Sequence, residues 1–478
     1  MTILIKNIQL IDGSGRPAFK ADVLVKKEKI HAIGNFSRYR ANEIIDGMGA
    51  YLSPGFIDID TESDHNLTLF SEPSQKDFLL QGITAIIGGQ GGSSLAPLIY
   101  GSLESIGEWA DIRKINVNWH TVVEFFKVMG RRRLGVNFGA LVGHRTVRQA
   151  LAGNSTRDLS RNESRILNSI LEKSLKEGAF GFSSGLDYPH SRQISYNEIK
   201  SLAETTAKHK GVYAARLRDE KRGLLSSVKE IVEIAKETGV KILINNLKPL
   251  IGYGKDYEAA LELISKNTDK ADVHFNICLS DTSAVLIHAF LPGWVKETGY
   301  ETMLKDIQTP GLKEKILKEM PRIRGEEIIL NAPANGYLIG KSLKEFAQNR
   351  NLTIGESLLE LMKITDFRAT ISYRNISFKK SVQSLIHERA IVVSKSAGKF
   401  LKLVEKEKIM PIEKAIYKIT GLPAAKLGLK NRGLVREGYS ADLVLFRDAE
   451  IREVLVNGKR TVKDGEFQNI LAGKILRS

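Results

Sequence analysis

The chain reads as α/β, built on a (β/α)8 TIM-like barrel with a small β module made from both termini and an inserted helical lid. Three observations carry this. Short apolar runs alternate with amphipathic helical stretches through the middle of the sequence. Both ends are rich in short strands with tight turns. A charged helical block interrupts the alternation between about 281 and 339.

The elements follow in order. ILIKNIQLID alternates and stops at the turn GSGRP. ADVLVKKEKIHAIG gives two strands about KKEK, and EIIDGMGAYLSPG closes an N-terminal β unit over residues 1–54. GITAIIGG, GVNFGALVGH, GAFGFSSG, GVYAARLRD and VKILINNLK are barrel-strand candidates. SRILNSILEKSLKE and LSSVKEIVEIAKETG are helices between them, and the barrel is expected over 55–425. LPGWVKETGYETMLKDIQTPGLKEKILKEM reads as a lid over the barrel mouth. ADLVLFRDAEIREVLVNGKRTVKDGEF, within 426–478, is a second strand set with turns at Asn457-Gly458 and Asp464-Gly465.

Composition excludes several classes. Hydrophobic residues at 42% and charged residues at 26% describe a globular chain rather than a disordered one. The net charge of +16 comes from scattered lysines, without an arginine-rich tail or aromatic–basic alternation, so a nucleic-acid partner is not expected. The single cysteine, Cys278, forbids an intramolecular disulfide and sits in the apolar run HFNICL as a structural thiol. MTILIKNIQLIDG lacks the pattern of a secretory signal, and no apolar run reaches a membrane span. A cytoplasmic protein without a membrane partner is expected.

PGFID, following the N-terminal β unit, resembles the entry to the amidohydrolase superfamily. QGITAIIGGQGGSSLAP, NFGALVGHRTVR, EGAFGFSSGLDYP, GVYAARLRDE, LPGWVKETGYETML and ITGLPAAKLGLKNRGLVREGYSADLVLF, collinear along the chain, are similar to the N-acyl-D-amino-acid deacylases, or D-aminoacylases. The resemblance implies a β-sandwich from both termini, a metal-dependent barrel and an inserted lid. It also implies zinc-assisted hydrolysis of an N-acyl bond, in which the metal lowers the pKa of a bound water and an aspartate takes its proton.

This sequence departs from that pattern at every recognisable ligand. The family's His-x-His after PGFID is replaced by Asp60 and Glu62. Its cysteine before SLAP is replaced by Gly91, and its histidine in YATHLRDE by Arg216. The next strand brings Asn246 where the family has a histidine. Lys395 stands at the general-base aspartate. Glycine offers no donor, and a guanidinium cannot be deprotonated to bind metal. A lysine ammonium repels a cation. No catalytic residue, no metal and no cofactor are therefore expected, whereas zinc would be in the family.

Asp58, Asp64 and His65 flank the altered ligands. On a strand only Asp58, Asp60 and Glu62 would share a face, so Asp64 and His65 read as loop or helix-start residues. The two acids and two cations are expected to compensate one another, with Arg216 and Lys395 in place of the metal charge. His144, Ser184, Tyr188, Arg218 and Lys248 are candidate pocket residues. Arg216, Arg218 and Lys395 favour an anionic ligand, such as an N-acyl amino acid. IIGGQGGSS lacks the Lys-Ser/Thr ending of a phosphate loop, and no G-x-S-x-G elbow is present. The sequence thus points to an inactive D-aminoacylase-like barrel with a binding or structural role, expected to be a homo-oligomer. The alternative is an active hydrolase of C–N bonds other than peptide bonds, with a site rebuilt on Asp60 and Glu62.

Overall fold

The computed structural model describes residues 1–478 except 37, 101, 108, 189, 190, 297–299, 322, 334, 394 and 395. The chain divides into two compact units. The first comprises Met1–Ser102, Val117–Leu279 and Phe378–Ser478. The second comprises Leu103–Asn116 and Ser280–Ser377.

The first unit holds the barrel. Phe56–Asp58, Ile83–Gly88 and Asn137–Ala140 pair in parallel. Val142–Gly143, Gly181–Gly185, Val212–Arg216, Lys241–Ile244, Val273–Ile277 and Ala390–Val392 form a second parallel sheet in that order. Asn137–Ala140 and Val142–Gly143 are one strand interrupted at Leu141, whose N–H still reaches the Gly88 carbonyl. Counted so, eight strands among the described residues make the barrel. Its strands are buried on both faces, which is why their sequences run apolar without alternation. Ile57, Ala85, Leu141, Phe180, Ala214, Leu243 and Ile391 share one core cluster across them.

The helices between strands start and stop where local chemistry requires. Arg161–Lys176 begins at a capping box of Ser160 and Glu163 and buries Leu167, Leu171 and Leu175 at helical spacing. Leu224–Thr238 ends at Gly239, which takes φ of 71°, a conformation glycine adopts without a Cβ penalty.

Both termini enter one nine-stranded sheet. Tyr51–Pro54 pairs antiparallel with Leu443–Arg447, so an N-terminal strand is zipped to a C-terminal one. Ile3, Ile5, Val23, Leu52, Leu443 and Leu455 form its buried cluster. The turns expected at Asn457-Gly458 and Asp464-Gly465 are present, with positive φ at all four residues.

The second unit contains the expected insert and continues past it to residue 377. Besides its helices it carries an antiparallel sheet of Thr282–Leu286, Thr370–Arg374 and Ile329–Asn331. Ile287, Phe290, Met303, Ile316, Phe346 and Phe367 belong to its core. No helix among the described residues is long and apolar enough to cross a membrane.

Candidate functional site

The carboxyl ends of the barrel strands bring together residues from distant parts of the chain. The first strand ends at Asp58, so Asp60 and Glu62 lie in the turn beyond it and strand alternation does not govern them. Asp58 instead folds the turn, its Oδ1 accepting the Asp60 N–H at 2.9 Å.

Asp60 is 7% exposed and is held by amides. Asn276 Nδ2 donates to its Oδ2 at 3.1 Å, and Asn245 Nδ2 approaches Oδ1 at 3.3 Å. Asn245 also donates to Gln90 Oε1 at 2.7 Å and accepts from Asn276 at 3.1 Å. Gln90 Nε2 returns to the Ile59 carbonyl at 2.6 Å. This buried network recruits Gln90, Asn245 and Asn276, three side chains the sequence reading passed over. A polar residue inside an apolar strand, as Asn276 is in HFNIC, was the available signal. Asn246 takes part through its backbone, its N–H donating to Asn276 Oδ1 at 2.7 Å from a left-handed φ of 59°.

Arg216, at the end of Val212–Arg216, lies beside Gly91. A Cβ built on Gly91 would sit 3.2 Å from Arg216 Nε and 3.4 Å from its Cζ. The guanidinium thus lies against the direction a residue-91 side chain would take. Arg216 Nη1 donates to Tyr188 Oη at 3.0 Å, and Nη2 stands 4.0 Å from Glu62 Oε1. Burial opposes its charge. Tyr188 and the carboxylates Asp187, Asp60 and Glu62 outweigh that and hold its pKa above the ordinary value. Asp187 is another residue missed from sequence. Burial raises its carboxyl pKa, and the nearby Arg216 only partly offsets this.

The other candidates are engaged elsewhere. His144 Nε2 pairs with Glu198 Oε1 at 2.7 Å, and Arg148 Nε reaches the same oxygen at 3.0 Å. Ser184 Oγ bonds Tyr213 Oη at 2.7 Å. Arg218 clamps Glu230 with Nε and Nη2 at 2.8 and 2.9 Å. Lys248 Nζ meets Glu220 at 3.3 Å. His65 Nε2 bonds the Ser93 carbonyl at 3.0 Å, and Asp64 accepts from the Gly89 N–H at 2.5 Å. Lys395 lies outside the described residues. Cys278 is near Ser396, at 3.6 Å from Sγ to Oγ.

These residues do not fit a zinc ion. Zinc needs neutral imidazoles, thiolates or carboxylates with free lone pairs. Among the described residues no three His, Cys, Asp or Glu side chains converge as a metal group. A permanently charged guanidinium faces the Gly91 slot, and Asp60 already accepts from two amides. The substitution Gly91→Cys should accordingly cost about 1–2 kcal/mol, since φ at this position is 58°. It should bring no zinc with it. Chemical denaturation and metal analysis of the variant check both, and stoichiometric zinc from this single change would show that Arg216 yields the slot.

No family model matches the chain. Individual relatives match along nearly its whole length. It is 26% identical to a D-aminoacylase of Alcaligenes xylosoxydans xylosoxydans, over 99% of this chain and 97% of the relative. It is 28% identical to an N-acyl-D-aspartate deacylase of the same organism, over 97% and 92%. Among solved structures, an N-acyl-D-glutamate deacylase from Bordetella bronchiseptica, complexed with zinc and a phosphonate inhibitor, superposes with a TM-score of 0.82 at 22% identity. The match covers 100% of this chain and 99% of that one. A D-aminoacylase described with a binuclear metal centre gives 0.83 at 24%, with the same coverage. The fold is that of these amidohydrolases.

Proposed function

We infer that this chain is a D-aminoacylase-like amidohydrolase homologue that no longer hydrolyses, a pseudoenzyme retaining the barrel as a binding scaffold. One observation carries the reading: the Arg216 guanidinium lies against Gly91, where the family's pattern has a metal-bound thiolate. Hydrolysis in that family uses a metal-activated water and a base. Here Asp60 is locked by Asn245 and Asn276. The lysine at the base position, Lys395, cannot accept a proton while it is cationic.

The relatives' names supply the ligand class, an N-acyl amino acid, which is an anionic small molecule. A homo-oligomer in the cytoplasm, without nucleic acid or membrane as partner, completes the proposal. The test is a metal count and a product assay. Untagged protein is incubated with zinc and manganese, desalted, and analysed by mass spectrometry, then given N-acetyl-D-aspartate and N-acetyl-D-glutamate. No retained metal and no released amino acid are expected. Stoichiometric metal that vanishes in Asp60→Ala, with product formed, would replace this reading by a hydrolase rebuilt on Asp60 and Glu62.

A further inference from the structure

Arg216 is unusual for a mostly buried guanidinium. Its guanidinium has five N–H donors, yet among the described residues the only hydrogen bond these make runs from Nη1 to Tyr188. Its Nε is buried without a partner beside Gly91. The Nη2–Glu62 separation of 4.0 Å is too long for a hydrogen bond. Its side chain is 15% exposed, and Nη2 makes no hydrogen bond among the described residues.

Resting on the reading above, we propose that the Nη edge of Arg216 is the ligand-recognition element of the barrel mouth, and that it takes a neutral acceptor oxygen, an amide carbonyl. The charge balance selects the carbonyl. Glu62 Oε1 already stands 4.0 Å from Nη2, so a further carboxylate placed there would be repelled by it. A carbonyl accepts from Nη2 without adding charge. Tyr188 fixes the plane of the guanidinium through Nη1 and serves as the positioning residue. In an N-acyl amino acid the acyl oxygen, rather than the carboxylate, would therefore face Arg216. The unused donors thus distinguish a recognising guanidinium from one that only balances charge.

The experiment is calorimetric titration with two probes, N-acetyl-D-alaninamide, which is neutral, and sodium acetate. The amide should bind with an affinity nearly independent of salt, and acetate should not compete. Arg216→Lys keeps the charge but loses the fork, and should weaken the amide at least tenfold with the fold intact by circular dichroism. Tyr188→Phe should weaken it a few-fold. Acetate competing as well as the amide, unchanged affinity in both variants, or no binding of the amide at millimolar concentration would each overturn the proposal. A metal count and a product assay on the same samples report separately on the non-hydrolytic reading.

Discussion

Arg216→Ala is expected to lower the unfolding free energy by about 3–5 kcal/mol, read as a fall in the urea midpoint at neutral pH. The side chain is 15% exposed and faces Asp187, Asp60 and Glu62 together. Removing it leaves the buried Asp60 carboxylate with one cation fewer, and that penalty is larger than the worth of the pair itself. Asp187 can relieve part of the penalty by taking up a proton, because burial holds its carboxyl pKa above the ordinary value even with Arg216 beside it. Part of the loss should be recovered in the double variant Arg216→Ala, Asp187→Asn, which replaces that buried carboxyl by a neutral amide. A midpoint unchanged in the single variant would mean that Arg216 does not balance these carboxylates.

Glu198→Ala should cost a comparable amount, about 3–5 kcal/mol. Glu198 is 8% exposed and joins the helix Tyr196–Lys208 to His144 and Arg148 on the helix His144–Ala152. Without it, Arg148 keeps its bond to the Ser155 carbonyl at 2.6 Å but loses its counter-charge. The carboxylate also borders a cleft of about 250 Å3, and water entering there would bring the cost toward the lower end. The pair gives a pH signature. Burial raises the Glu198 pKa, but the hydrogen bond and charge of His144, with Arg148, outweigh it and set it below the usual carboxylate range. A depressed carboxylate contributes stability above its unfolded pKa and loses it as pH falls through the folded one. The gap in melting temperature between the native chain and Glu198→Ala should therefore narrow as pH falls below about 4.5. A constant gap down to pH 3 would remove the ion pair from the account.

Much of the fold was legible before any coordinates. The apolar runs ITAIIG and VYAAR are buried barrel strands because both faces of a parallel sheet are covered. The Asn457-Gly458 turn followed from residues that tolerate positive φ. The pairing of Tyr51–Pro54 with Leu443–Arg447 was less accessible, since it joins strands nearly 400 residues apart. Similar strand content at both ends suggested the module without giving its register. The small sheet of the second unit escaped because Thr370–Arg374 reaches back past five helices among the described residues to Thr282–Leu286.

The candidate site divides in the same way. Local motifs by themselves gave the expectation that Asp60, Glu62, Gly91 and Arg216 stand at altered ligand positions, because each lies in a block quoted from the sequence alone. That chemistry is a property of side-chain type, as a glycine cannot ligate and a guanidinium stays charged. Only the tertiary structure decided which groups answer which. It gave Asp60 to Asn245 and Asn276, tied Arg218 to Glu230 and His144 to Glu198, and set Arg216 against Gly91 with Asp187 and Tyr188 as neighbours. Partner choice depends on distance and burial across strands far apart in sequence. Coulomb and hydrogen-bond energies change over a few ångströms, which is finer than any spacing along the chain can specify.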